Sequence, residues 1–253
     1  MNDADTNPYT PPASQLQSAV ASEQAPSVQE ALSRGYDFGV DNVINQAWAL
    51  VKGSKGLIIG GYLLLYVAMF AGMFALAVVL TLLGLLDTAS SENRIFSDQL
   101  FNLLSSALTY PFVAGIYLIG IRRAAGQAVS INLVFSQFSK FLPLLVTGVL
   151  MTILIAVGYM LLVIPGIYLS IAYLLAIPLV AERGLSPWQA LETSRKAIHQ
   201  HWFKVLGLCL TLGLIILLSI VPLGIGLIWT MPLLTLSFGV LYRIIFGVLP
   251  PAN

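Results

Sequence analysis

The sequence predicts an all-α protein, a polytopic transmembrane helical bundle of about six spans accompanied by amphipathic interfacial helices. Three observations predict it. Hydrophobic residues make up 58% of the 253 positions and charged residues 9%, whereas a water-soluble domain carries roughly 25% charged residues. The charges are also segregated: Gly56–Leu86, Gln99–Ile121, Phe141–Ala181 and Val205–Tyr242 contain no Asp, Glu, Lys or Arg, and a span needs about 20 apolar residues. Finally, the two longest of these stretches, 41 and 38 residues, carry Pro-Gly breaks at Pro165-Gly166 and at Pro222, Gly224 and Gly226, so each divides into two crossings.

Residues 1–35 are rich in Ala, Ser, Gln and Pro and poor in large apolar side chains, which reads as a disordered cytoplasmic tail. Its Pro8–Pro11 spacing fits a linker better than a polyproline ligand. No cleavable signal is expected, because the first apolar run begins at Gly56 and is too long for a signal core. Within residues 36–55, Val40, Val43, Ile44, Ala47, Trp48 and Val51 recur at helical spacing opposite Asp41, Asn42, Asn45, Gln46 and Lys52. That pattern is an amphipathic helix lying along the interface, with Lys52 and Lys55 marking the membrane boundary.

Residues 56–253 form the six-span domain. As one helix Gly56–Leu86 would exceed a hydrocarbon layer of roughly 30 Å, so it tilts or breaks near Gly84. The polar segment Asp87–Asp98 reads as a loop, and the second span carries Pro111, which predicts a kink. Lys and Arg fall almost wholly in alternate connections: Arg34, Lys52, Lys55, Arg122, Arg123, Lys140, Arg183, Arg195, Lys196, Lys204 and Arg243 on one side, and Arg94 alone on the other. By the positive-inside rule both termini are cytoplasmic.

The fourth connection has a defined start. Ser186-Pro187-Trp188-Gln189 is a capping box with Pro at the first helical position. Trp188, Leu191, Ile198 and Trp202 line one face of the helix that follows. Ala190 and Ser194 form a small pair that lets it lie close against a span, and Glu192, Arg195, Lys196 and His199 face the other way.

The order Leu162-Val163-Ile164-Pro165-Gly166-Ile167-Tyr168, Pro178, Glu182, Ser186-Pro187-Trp188-Gln189-Ala190-Leu191, Ser194 resembles the YciC-like bacterial inner-membrane proteins and the membrane domain of some glycerophosphoryl diester phosphodiesterases. The likeness is most specific over about Leu162–Leu206. It implies an all-helical module of the bacterial inner membrane and supplies no catalytic residues. The phosphodiesterase domain itself has no counterpart in this chain.

Function is much less legible. A net charge of +1 with scattered bases excludes a nucleic-acid partner. The single Cys209 precludes a disulfide or a cysteine-based metal site within one chain, and no cofactor is expected. The uncharged spans disfavour ion-coupled transport. Ser105, Ser106, Thr109 and Tyr110 form the candidate intramembrane polar patch; the plainer reading is that they bond neighbouring helices and compensate the carbonyl freed by Pro111. Gly56-x-x-x-Gly60 reads as ordinary close packing. Glu182, Glu192, His199 and His201 are the only cluster that an interfacial enzyme would use, and no H-E-x-x-H motif occurs. Trp188, Arg195, Lys196, Trp202 and Lys204 are the candidate interfacial contacts, with bases suited to lipid phosphates.

The leading expectation is a non-enzymatic structural or partner-binding module whose partners are membrane lipids and a membrane protein or a second copy. The alternative is a carrier or permeation path for an uncharged or lipid-like solute. The amphipathic segments around Trp48, Ile131–Phe138 and Trp188 each precede a pair of spans, which suggests a threefold helix-plus-hairpin repeat.

Overall fold

In the computed structural model, which describes residues 25–84 and 91–250, every regular element is helical. In chain order these are α1 (Val28–Arg34), α2 (Val40–Val51), α3 (Lys55–Leu82), α4 (Ser91–Ala124), two 3-10 turns (Ile131–Val134 and Ser136–Lys140), α5 (Phe141–Leu161), α6 (Val163–Ala172), α7 (Ala176–Arg183), α8 (Pro187–His199), α9 (Trp202–Ile220) and α10 (Leu227–Phe246). Five segments are long and apolar enough to cross a membrane: Lys55–Leu82, Ile131–Leu161, Val163–Arg183, Trp202–Ile220 and Leu227–Phe246. The uncharged stretch Gln99–Ile121 inside α4 supplies the sixth. The protein is a multi-pass helical membrane bundle.

The spans form three antiparallel pairs, α3 with α4, α5 with α6–α7, and α9 with α10. The 28-residue α3 ends at Leu82, two residues before Gly84, whose φ of +69° suits glycine. Pro222, Gly224 and Gly226 make the α9–α10 reversal as expected. The α5–α6 reversal, in contrast, falls at Leu162, which is extended (φ −165°, ψ 158°). Pro165 and Gly166 lie inside the first turn of α6, where a missing N–H breaks no intrahelical bond. Gly166 serves there as a contact surface, and the Gly158 Cα region approaches it so closely that a Cβ on Gly158 would sit 3.1 Å from the Gly166 Cα.

The break between α6 and α7, at Tyr173–Leu175, leaves backbone groups that lipid cannot satisfy. One side chain serves both sides of it. Ser194 of α8, fully buried, donates to the Ala172 carbonyl at 2.7 Å and accepts from the Leu175 N–H at 3.1 Å. Ala190, its partner in the small pair, is also fully buried, which lets α8 lie across the α5–α7 hairpin. Ser194→Ala is expected to cost about 1–3 kcal/mol, the penalty for orphaning buried backbone groups. Thermal unfolding in detergent measures the loss, and an unchanged midpoint would show that the break is satisfied some other way.

Helix α10 is the hub, packed on α4, α2, α3 and α9. It runs parallel to α4, with Gly239 against Gly120 and the Arg243 guanidinium donating to the Ala124 carbonyl at 2.8 Å. Helix α2 buries Val43, Ala47 and Val51, one helical stripe, mainly against α10. The helical part is Val40–Val51, within the expected 36–55. Trp48, expected on the apolar face, stands 53% exposed at its edge.

Other expectations are corrected. Of the expected 1–35 tail, residues 1–24 lie outside the described residues, but Val28–Arg34 is a helix with a Ser27–Glu30 capping box, packed against α8 and α10. Its seven residues are too short to be helical alone, so tertiary contact holds them. Ile131–Phe138 is 3-10 rather than an amphipathic α-helix. Asp87–Asp98 is only partly loop, because α4 begins at Ser91. The Gly56–Gly60 pair makes no close contact; Gly61, one residue on, is the position that meets Val134.

The short elements share a placement. The first 3-10 turn packs on α4, α8 on the α5–α7 hairpin, and α2 on α10.

Candidate functional site

The polar patch is dispersed by helical geometry. Neighbouring residues point about 100° apart, so Ser105 and Thr109 share one face of α4 while the exposed Ser106 points away from it. Thr109 Oγ1 donates to the Ser105 carbonyl at 2.8 Å, one turn back, and not to the carbonyl freed by Pro111. Thr81, Thr147, Thr152, Thr211 and Ser219 make the same bond on their own helices. In lipid this is how a hydroxyl finds an acceptor, so Thr109 behaves like the other span hydroxyls. The buried Ser105 hydroxyl has no partner among the described residues.

Tyr110 and Thr109 do border an apolar recess of about 230 Å³ between α4, α5 and α6, with Tyr117, Ser170 and Tyr173. A second recess of about 200 Å³ lies against it, sharing Val113 and Tyr117 and adding Tyr62. Tyr62 and Thr235 hydroxyls bond at 2.9 Å across the α3–α10 contact. Tyrosines line both recesses, and neither has a charged side chain among its described lining residues.

The interfacial residues of α8 and α9 are committed to the chain itself. Arg195 makes a two-pronged pair with Glu192 (2.9 and 2.8 Å), and Lys196 joins the same carboxylate at 3.4 Å. The hydrogen bond from Arg195 holds the Glu192 carboxyl below the usual carboxylate range. Lys204 pairs with Asp37, whose pKa is lowered first by that hydrogen bond. Trp202 donates its indole N–H to the Tyr168 carbonyl at 3.3 Å, whereas Trp188 is 61% exposed and not on the packed face.

The candidate acid-base cluster is not assembled. His199 Nδ1 meets the Tyr168 hydroxyl at 3.1 Å, His201 stacks edge-on against Tyr36, and Glu182 and Glu192 belong to separate networks. Among the described residues no group of three His, Cys, Asp or Glu side chains is placed to hold a metal.

Sequence reasoning missed a buried network at the end of the bundle where α4, α7 and α10 terminate. Glu182 accepts from the Tyr242 hydroxyl (2.7 Å) and the Leu249 N–H (2.6 Å), and pairs with Arg183 at 2.8 Å. Arg183 also donates to the Pro26 and Phe246 carbonyls. Arg34 reaches the Ile245 carbonyl, Lys140 the Ala181 carbonyl and Arg243 the Ala124 carbonyl. Each is a cation on the C-terminal carbonyls of a helix, where the helix dipole favours positive charge. These long-range bonds bring Arg34, Lys140, Arg183 and Arg243 to one end, the grouping that alternate connections predicted.

What results is a membrane bundle in which Arg34, Lys140, Arg183 and Arg243 are tied to backbone carbonyls and whose spans border two tyrosine-lined recesses. No family model, curated protein or solved structure matches this chain.

Proposed function

We propose that this chain is a non-enzymatic structural or partner-binding module of the bacterial inner membrane, YciC-like, with both termini in the cytoplasm. One observation carries the reading. At the basic end Arg34, Lys140, Arg183 and Arg243 bond to the chain's own carbonyls and carboxylates, while α3 buries only Ile58, Gly61, Leu65 and Leu80 of its 28 residues. A span held by so narrow a line presents its remaining apolar face outward, with Phe70 75% and Phe74 73% exposed. Packing of side chains, with no need for hydrophobic transfer, drives helix association in lipid, and such a face is suited to it. The order of elements over Leu162–Leu206 supports the family reading, and the count of bases supports the orientation.

A photo-crosslinking residue at Phe70 or Phe74, activated in native membranes, tests this. A discrete protein adduct, with a second copy or another chain, is expected. Lipid adducts alone would sink the module reading and favour the second one, a carrier or permeation path for an uncharged or lipid-like solute. The two recesses, one bordered by Tyr62 and Tyr117 and the other by Tyr110 and Tyr117, are the observation that supports that alternative.

A further inference from the structure

Of the bases whose side chains are described, Arg34, Arg123, Lys140, Arg183, Arg195, Lys196, Lys204 and Arg243 each have a hydrogen-bond or ion-pair partner. Lys52, Lys55 and Arg122 have none among the described residues. Lys52 and Lys55 stand together, on either side of the turn at Gly53 (φ +92°) that separates α2 from α3. They line a recess of about 320 Å³ framed by Trp48 and Trp229, with no carboxylate among its described lining residues.

The recess is built to present positive charge. The Lys55 ammonium lies 4.7 Å from the centre of the Trp229 ring, a cation–π contact that holds it while leaving its N–H groups available. Lys52 is exposed and Lys55 half-buried. Arg123 stands behind the turn, donating to the buried Ser54 hydroxyl at 2.6 Å, and adds a third positive charge. The indole N–H groups of Trp48 and Trp229 have no acceptor among the described residues. Two ammonium groups in one recess beside two indole donors suit an anion with several oxygens.

An apolar track leaves the recess along α3. Tyr66 and Phe70, eleven and fifteen residues after Lys55, fall on the same helical stripe as that lysine, and they are 52% and 75% exposed. A phosphate held at the lysines thus has an acyl-chain path beside it.

We propose that Lys52, Lys55, Trp48 and Trp229 bind the phosphate of an anionic phospholipid, with an acyl chain lying on Tyr66 and Phe70. The bases of α8, which the sequence pointed to for this task, are already paired with Glu192.

The full chain, purified in a nonionic detergent, is titrated with phosphatidylglycerol, phosphatidylcholine and inorganic phosphate, and bound species are read by native mass spectrometry. Phosphatidylglycerol is expected to bind on the order of tenfold more tightly than phosphatidylcholine, from the attraction of two lysines. The K52Q/K55Q variant should lose that preference, while K196Q/K204Q keeps it. In the unaltered protein the preference should fall as salt is raised, since the lysines reach solvent. An unchanged preference in K52Q/K55Q, or one indifferent to salt, would overturn the site. Inorganic phosphate binding as tightly as the lipid would overturn the lipid assignment, because the apolar track would then contribute nothing.

Discussion

Gly239→Ala should lower the stability of the bundle by about 3 kcal/mol, the upper end of what a single added methyl costs in a packed interior. At this crossing of α4 and α10 there is no side chain to move aside. A Cβ on Gly239 would lie 2.9 Å from the Ile121 backbone nitrogen and closer still to the Gly120 carbonyl, and one on Gly120 would lie 2.6 Å from the Thr235 carbonyl. The helices must separate, and separation loosens the hub, because Leu236, Val240 and Leu241 on the same helix are fully buried. Small residues at a crossing are how helices approach in lipid. Gly213→Ala is the matched control: nothing lies within 4 Å of its Cβ position, and the change should stay within about 1 kcal/mol of neutral, on the stabilising side. Thermal unfolding in detergent, followed by size-exclusion fluorescence, reads both. Equal midpoints for the two variants would show that the crossing does not hold the bundle.

The second large effect is expected at Glu182. Its side chain is 4% exposed, and it joins three parts of the chain: Arg183 at the end of α7, Tyr242 in α10 and Leu249 beyond it. Glu182→Ala leaves the Arg183 guanidinium, 7% exposed, without its counter-charge, together with an orphaned hydroxyl and N–H. Breaking one partner of a buried pair costs about 3–5 kcal/mol. Removing both charges is less damaging than removing one, so Glu182→Ala with Arg183→Met should recover part of the loss. Recovery stays partial because Arg183 also holds the Pro26 and Phe246 carbonyls. Limited proteolysis should cut the Glu182→Ala protein first near Pro26 and Gly247, the strands of chain that this network ties down. Resistance at both places would mean that they are held independently of Glu182.

These two sites differ in how visible they are beforehand. Glu182 and Arg183 stand in the sequence as an ordinary charged pair at the end of a span. Nothing local says that their partners are 60 and 67 residues away. Gly120 and Gly239 are two of 21 glycines, and Gly56 and Gly60, which have the more familiar spacing, touch almost nothing. The helix α1 has a signal that the sequence reading passed over, Ser27-x-x-Glu30, set in a polar, Pro-rich stretch whose composition reads as a tail. The polar patch on α4 was visible as residues, yet its hydroxyls resolve into one bond along the helix and an edge of a crevice that α5 and α6 complete.

The sequence alone determined the class of the protein, the spans and their breaks at Gly84 and Pro222–Gly226, the start of α8 at Ser186, and which bases share an end. It could do so because lipid leaves the backbone no partner but itself, which makes each crossing a local matter of about 20 uncharged residues. Only the tertiary structure decided that Ser194 closes the break at Tyr173–Leu175, that Glu182 and Arg183 together hold Tyr242, Leu249 and Pro26, that Gly239 meets Gly120, and that Lys52 and Lys55 are left open beside two tryptophans. Those outcomes depend on which helices become neighbours, and in a chain whose spans are all similarly apolar, packing and long-range hydrogen bonds choose the neighbours where periodicity does not.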